Sequence, residues 1–275
     1  MTAARDAYAS VRERLKTAGI SEPDAKARVI VAEVLGIGLG DVLFNNEIDG
    51  ASIRKINDMA VKCAAGEPVE YVTGRAYFRH AVLDVSLDVL IPRQETELVA
   101  EEAIRLIRAN EYRTALDLCT GSGCIAIAVQ TETGIETHAC DLSENALLIA
   151  GQNAKKNGAD VRFFLSDMFS KVTQTYDIII SNPPYVSESE YETLDGGVRL
   201  YEPRMALAAG DDGLAFYRII ASEARRHLAQ GGALVLEIGA GQRKDGTGLL
   251  TVGGWKDVIC KKDYAGRDRI VTARR

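Results

Sequence analysis

The chain has 275 residues, 47% hydrophobic and 26% charged, with 39 acidic side chains against 33 basic ones and a net charge of −6. That length exceeds the usual single-domain size of about 100–150 residues, so one ordinary domain and a smaller one are expected. The acidic balance argues against a protein whose main work is gripping a phosphate backbone. No apolar run approaches the roughly 20 residues that span a bilayer, and the charged N-terminus lacks a signal peptide's apolar core, so the expected compartment is the cytoplasm with no membrane partner.

Five cysteines, Cys63, Cys119, Cys124, Cys140 and Cys260, are an odd number without repeated spacing. They fit a reducing compartment better than a disulfide framework. With no C-x-x-C pair and only His80, His138 and His227 as histidines, no metal site is expected, and the cysteines read as small buried thiols.

From about residue 4 to residue 66, apolar residues recur at helical spacing. Val11, Leu15 and Ala18 mark one segment, and Val29, Ile30, Ala32, Val34 and Leu35 mark another. Ser21 followed by Pro23 and Asp24 reads as a helix start. Gly36, Gly38 and Gly40 end that helix, and Ala51 to Ala65 forms a third. Residues 1–70 therefore read as a helical domain whose scattered charges suit either a structural cap or a docking surface for a macromolecular substrate. From Tyr71 to Val85 the pattern alternates around Gly74, which predicts a β-hairpin, with residues 71–90 linking the helical domain to residues 91–275. Pro92 breaks the next extended run, and Glu95, Thr96 and Glu97 suit the start of a helix reaching about Ala109. The turn Ile91-Pro92-Arg93 reads as the entry to that helix; the functional alternative sets Arg93 over a ligand cleft.

Residues 114–141 read as strand, glycine loop, helix and strand, a nucleotide-binding βαβ unit. The loop is Cys119-Thr120-Gly121-Ser122-Gly123, in which glycines let the backbone approach a ligand, and Ala126 allows close packing of helix on strand. Asp141 ends the second strand, where a carboxylate can accept from both hydroxyls of a ribose. This pattern serves nicotinamide cofactors and S-adenosylmethionine equally well. A third strand, Val161 to Leu165, leads to Asp167, which can accept from an adenine amino group, and Met168, which can pack on the ring.

The buried run Ile178-Ile179-Ile180 then delivers Asn182-Pro183-Pro184-Tyr185 to the same edge of the sheet. Two prolines make a stiff turn that offers carbonyl acceptors and no competing N–H donors. The Asn182 side-chain oxygen and the Pro183 carbonyl can accept the two hydrogens of an NH2 group, while the Tyr185 ring covers one face of its plane. Hydride transfer calls for a group that polarises a carbonyl oxygen. Acceptors point instead to methyl transfer onto nitrogen, with Asn182, Pro183 and Tyr185 as catalytic candidates and Asn182 to Tyr185 as the substrate site. The same corner would suit an adenine-N6 nucleic-acid methyltransferase, but that enzyme needs a basic groove and room for a flipped base. A non-catalytic nucleotide-binding partner module would leave the corner without work. Residues from Tyr185 to about Asp212 lack periodicity and read as a substrate-side flap. The helix Gly213 to Leu228 and the strands Ala233 to Ile238, Trp255 to Lys261 and Arg269 to Ala273 complete the sheet.

These residues resemble the bacterial release factor glutamine N5-methyltransferases, the HemK/PrmC family, along nearly the whole chain. The likeness is carried by Glu67-Pro68-Val69-Glu70-Tyr71 with Gly74, Ile91-Pro92-Arg93 with Glu95-Thr96-Glu97, Asp117-Leu118 with Thr120, Gly121 and Gly123, and Asp141. It continues through Asp167, Asn182 to Tyr185, Tyr201-Glu202-Pro203 with Ala206-Leu207, Glu237-Ile238-Gly239, and Asp263 to Arg269. The resemblance implies an α/β fold: a seven-stranded, Rossmann-like class I methyltransferase domain with a small N-terminal helical domain joined to it by a β-hairpin. It implies an S-adenosylmethionine-dependent enzyme, leaving S-adenosylhomocysteine, that methylates the glutamine N5 of the Gly-Gly-Gln loop in class 1 peptide chain release factors, with no direct nucleic-acid substrate. Cofactor contacts are expected from Cys119, Thr120, Gly121, Ser122, Gly123, Asp141, Asp167, Met168 and Asn182. One departure stands out: Cys119 occupies a position where the family usually has glycine.

Overall fold

The apolar spacing of the N-terminal quarter dictates its helices. The computed structural model, which describes residues 2–44 and 47–275, has helices at Ala4–Thr17, Pro23–Leu35, Gly50–Ala64 and Val69–Thr73. Val11 and Leu15 lie one turn apart and so share a face. They are buried with Ile30, Val31, Ile56 and Cys63 in a single core. Asp49 caps the third helix, accepting from the Ser52 amide at 2.7 Å, and Gly36 closes the second in left-handed backbone at φ 64°. The start of that second helix differs from the sequence reading: Glu22, not Ser21, is the cap residue. Ser21 instead accepts from the Lys26 ammonium at 3.2 Å, and Asp24 is drawn to the Tyr8 hydroxyl at 2.5 Å and the Arg28 guanidinium at 3.2 Å. Pairing with a cation outcompetes a cap bond for a carboxylate.

By internal packing the chain divides into one unit of Met1–Arg75 with Asp195–Tyr201, and a second of Ala76–Leu194 with Glu202–Arg275. The hairpin consists of Arg75–Phe78 and Ala81–Asp84. Gly74 does not form its turn, contrary to the sequence reading; with φ 73° it ends the short helix Val69–Thr73. A positive-φ glycine serves a helix end as readily as a turn, and true alternation, with Ala76 and Phe78 buried and Tyr77 exposed, starts only beyond it.

The second unit is built on a seven-stranded sheet. Its spatial order is Lys256–Lys262, Asp268–Arg274, Leu228–Glu237, Tyr176–Ser181, Thr114–Leu118, Glu136–Asp141, Val161–Leu165. The last five run parallel, while Asp268–Arg274 is antiparallel to both its neighbours. Side chains alternate across the sheet with period two. Ile178, Ile180, Ala115 and Val235 pack on one side against Val99, Ala103 and Ile107 of helix Gln94–Asn110 and Ile127 of helix Cys124–Thr133. Ile179, Leu116, Leu118 and Leu234 pack on the other side against Tyr217 and Ile220 of helix Ala215–Glu223 and against Trp255. Burial on both faces explains why these strands are continuously apolar.

The segment after Tyr185 is not structureless. It folds into short helices at Glu188–Tyr191 and Gly196–Tyr201 and a 3-10 turn at Arg204–Ala206. Ser187 and Glu190 form a reciprocal capping box at its start. Elements this short carry too few residues to show a period in sequence. Among the described residues, no helix is long and apolar enough to cross a membrane.

Candidate functional site

The strand Thr114–Leu118 has Glu136–Asp141 on one side and Tyr176–Ser181 on the other. Chain order reverses there, which opens a crevice beyond the strands' C-terminal ends. A cavity occupies that position, lined by residues of all three strand ends.

Its floor is the loop that follows Leu118. Cys119 has φ 61°, Gly121 55° and Gly123 84°, so three of five residues adopt left-handed backbone that favours glycine. A glycine is the unstrained residue at position 119; here a cysteine carries that conformation. The need for glycine is steric as well at Gly123, where a Cβ would lie 3.1 Å from Ala150 Cβ and 3.3 Å from Ile127 Cδ1. Asp117 anchors the loop from beneath. Its Oδ2 accepts from Thr120 Oγ1 at 2.6 Å and from the Ala126 amide at 3.1 Å. Complete burial pushes its carboxyl up to about 7, and Oδ1 is buried with no hydrogen-bond partner among the described residues. Asn153, also fully buried, donates to the Ser122 carbonyl at 3.0 Å and to the Asp84 carbonyl at 3.0 Å, which fastens the loop to the hairpin.

Asp141 ties the loop to the next strand. Its Oδ2 accepts from the Gly121 amide at 2.8 Å and its Oδ1 from the Ser143 amide at 2.9 Å. Each oxygen keeps acceptor capacity for a further donor, the requirement for gripping two adjacent hydroxyls. One side wall is Ser166-Asp167-Met168. The Ser166 hydroxyl donates to the Met168 carbonyl at 2.7 Å, Met168 is buried at φ 45°, and its Sδ lies 3.7 Å from Cys119 Sγ. Asp167 is exposed and also lines the cavity.

The opposite wall comes from the Ile91-Pro92-Arg93 turn, with Pro92 and Arg93 lining the cavity beside Pro203 and Met205. Arg93 pairs with Glu202, whose other oxygen accepts from the Ile91 amide at 3.3 Å. Glu202 is only 5% exposed, so the pair holds this turn against the returning chain. Arg93 thus lines the cavity and also fastens the turn that begins the helix, so the geometry is compatible with both readings of this segment.

Asn182 and Pro184 line the cavity; Pro183 and Tyr185 do not. Asn182 Nδ2 donates to Thr96 Oγ1 at 3.1 Å, and Thr96 donates onward to Glu237 Oε2 at 2.7 Å. Tyr185, expected to cover a bound NH2 group with its ring, is not among the residues that line the cavity. Its hydroxyl donates to Glu237 Oε1 at 3.2 Å, because a largely buried phenol must find a partner. Burial raises the Tyr185 phenol above its usual value and pushes the Glu237 carboxyl up to about 7. Gln242 Nε2 holds the Tyr185 carbonyl at 2.8 Å.

Cys119, Thr120, Gly121, Ser122, Asp141, Asp167, Met168 and Asn182 therefore meet in one cavity, while Gly123 shapes the loop without lining it. Sequence reading missed Asp88, Leu142 and Phe216, which also line it, and the buried Asn153. Glu202 and Glu237 stood out only as residues of the resemblance motifs, without the partners that the fold gives them. The cradle fits a nucleoside-bearing cofactor: a loop whose backbone is open at Gly121, a carboxylate with two usable oxygens, and a thioether wall.

Comparison with known proteins gives two family matches: the PrmC N-terminal domain at residues 6–74 and the Methyltransferase small domain at residues 76–196. A release factor glutamine methyltransferase of Agrobacterium fabrum is 37% identical over 97% of this chain and 95% of its own. One of Cereibacter sphaeroides is 38% identical over 98% of each. Among solved structures, a 16S rRNA N2 G1207 methyltransferase of T. thermophilus, in complex with AdoMet and guanosine, superposes with a TM-score of 0.54 at 17% identity, covering 73% of this chain and 49% of its own. That last likeness concerns the fold.

Proposed function

The chain belongs to the release factor glutamine methyltransferase family, and on that premise we propose that the Asn182 to Tyr185 corner presents a release-factor glutamine for methylation at its side-chain nitrogen. S-adenosylmethionine, when bound, supplies a methyl group activated by a positively charged sulfur. The acceptor is the glutamine of the Gly-Gly-Gln motif in class 1 release factors. The observation that carries this reading is the placement of Asn182, an amide acceptor on a turn that Pro183 and Pro184 strip of donors, in the same cavity as the Gly121–Asp141 cradle.

In the cofactor cradle, Asp141 would hold the ribose hydroxyls, Met168 would pack against the adenine ring, Asp167 would accept from its amino group, and the backbone of Cys119 to Gly123 would follow the cofactor. At the corner, Asn182 Oδ1 and the Pro183 carbonyl accept the two N–H bonds of the glutamine amide. An amide nitrogen is a poor nucleophile because its lone pair is delocalised into the carbonyl. Two acceptors favour positive charge developing on that nitrogen and fix its direction, and such positioning is worth about 7–11 kcal/mol when reacting atoms are held in line. The methylated nitrogen is then strongly acidic and sheds its proton to water, so the corner needs no general base. Pro184 closes the wall, and Tyr185 steadies the corner through Glu237.

We assign residues 1–70 to docking of the release factor, residues 71–90 to the link, residues 91–275 to methyl transfer, and the whole reaction to the cytoplasm, without nucleic acid or membrane as a direct partner. Incubation with S-adenosylmethionine labelled in its methyl group, in the presence of a class 1 release factor or of duplex DNA, tests the reading. Label is expected in the release factor and is lost when its motif glutamine is replaced; label in DNA would overturn the assignment.

A further inference from the structure

We propose that Thr96 and Glu237 are positioning residues that decide which end of the Asn182 carboxamide meets the substrate; this rests on the reading of Asn182 given above. A carboxamide has two ends of nearly equal shape and opposite hydrogen-bonding character. With its oxygen forward, Asn182 accepts an N–H from the glutamine amide; with its NH2 forward, it confronts that amide with a second donor. Packing alone does not separate the two arrangements, so something must choose.

The choice is made by a one-way chain of hydrogen bonds. Glu237 is 1% exposed, and as a carboxylate it can only accept. Thr96, itself 2% exposed, has a single hydroxyl hydrogen and gives it to Glu237 Oε2 at 2.7 Å. Its oxygen is then left as an acceptor, and the atom that fills it at 3.1 Å is Asn182 Nδ2. The amide nitrogen is thus pinned to the interior, and Oδ1 is the end left for the cavity. Tyr185 donates to the second oxygen of Glu237 at 3.2 Å and keeps the carboxylate from rotating.

Protonation of Glu237 would reverse the chain. The acid could donate to Thr96, Thr96 could then donate to Asn182 Oδ1, and the amide would turn its NH2 outward. Charged groups acting on Glu237 are Arg269 and Glu95, and the titratable neighbours are Tyr185, Tyr217 and Cys124. Burial outweighs Arg269 and the two hydroxyl donors and brings the carboxyl to about 7, so the switch falls within an accessible pH range.

The test compares Glu237→Gln, Thr96→Val, Thr96→Ser and Asn182→Ala in the full-length protein. It measures kcat, KM for the release factor, affinity for S-adenosylhomocysteine, and kcat against pH. Glutamine matches glutamate in shape but brings a donor, so it permits the reversed chain. Glu237→Gln and Thr96→Val should lower kcat by roughly tenfold to a hundredfold, the worth of one hydrogen bond to a charged group, with S-adenosylhomocysteine affinity within about twofold. Thr96→Ser should keep most of the rate. Wild-type kcat should fall as the pH drops through about 7, and Glu237→Gln should lack that acid limb. A wild-type rate in Glu237→Gln, an unchanged acid limb in that variant, or equal losses in Thr96→Ser and Thr96→Val would overturn the proposal. If Asn182→Ala is inactive while Glu237→Gln is not, only the relay fails. If Asn182→Ala keeps its rate, the reading of Asn182 fails and the relay with it.

Discussion

Replacing Glu237 by glutamine should change stability in a way that depends on pH. Burial raises this carboxyl from an ordinary 4.5 to about 7, against the opposing pull of Thr96, Arg269 and Tyr185. A carboxyl with a raised folded-state pKa favours folding as the acid: its contribution is complete below about pH 4.5 and is lost as the pH rises through 7. The protein therefore folds with a neutral group at about pH 5 and with a desolvated charge at about pH 8.5. At roughly 1.4 kcal/mol for each pH unit between the two values, the wild type loses roughly 2–3 kcal/mol from this group across that interval. Glutamine has no such dependence. Relative to wild type, Glu237→Gln should gain roughly 2–3 kcal/mol between the two pH values, whatever its offset from altered hydrogen bonds. Urea unfolding followed by Trp255 fluorescence measures this, because the single tryptophan is buried in the same unit. An offset equal at both pH values, within about 0.5 kcal/mol, would refute the placement of an ionisable group in a dry site.

Two further outcomes probe the cofactor loop. Gly123→Ala must hold a Cβ at φ 84° and within 3.3 Å of Ala150 Cα, Ala150 Cβ and Ile127 Cδ1. Strain and overpacking together should cost about 2–4 kcal/mol in urea unfolding, and a cost near zero would show that the loop relaxes freely. Asp141→Ala removes the acceptor shared by the Gly121 and Ser143 amides and the proposed ribose grip. It should weaken S-adenosylhomocysteine binding by roughly tenfold to a hundredfold in calorimetry, and unchanged affinity would remove Asp141 from the site.

Most of this architecture is legible in the sequence because the sheet's strands are buried on both faces. Runs such as Ile178-Ile179-Ile180 mark their own positions, and the glycines of 121 and 123 mark the turn between strand and helix. What escaped reading has a common physical cause. Gly74 supports either a helix end or a hairpin turn, and only the packing of Ala76 and Phe78 decides between them. The short helices between Tyr185 and Asp212 have no period to detect. The ends of the long-range pairs are likewise hidden: Thr96 lies 141 positions from Glu237, Arg93 109 from Glu202. Local sequence shows each threonine, arginine or glutamate without its partner, which the fold alone supplies. Tyr185 shows the limit most clearly, since local sequence offers its ring to the substrate and gives no sign that its hydroxyl is held by Glu237.

The central claim is that Asn182, which lines the same cavity as the cofactor loop, does its main work on the acceptor amide, and one comparison tests it. Asn182→Ala should lower kcat for release-factor methylation by about a hundredfold to a thousandfold, the range for removing one preorganised polar contact from a reacting group. Its affinity for S-adenosylhomocysteine, measured in parallel by calorimetry, should stay within about threefold of wild type, since no hydrogen bond of the Gly121–Asp141 cradle involves Asn182. A variant that methylates at more than about a tenth of the normal rate, or that loses cofactor affinity in proportion to turnover, would contradict the account.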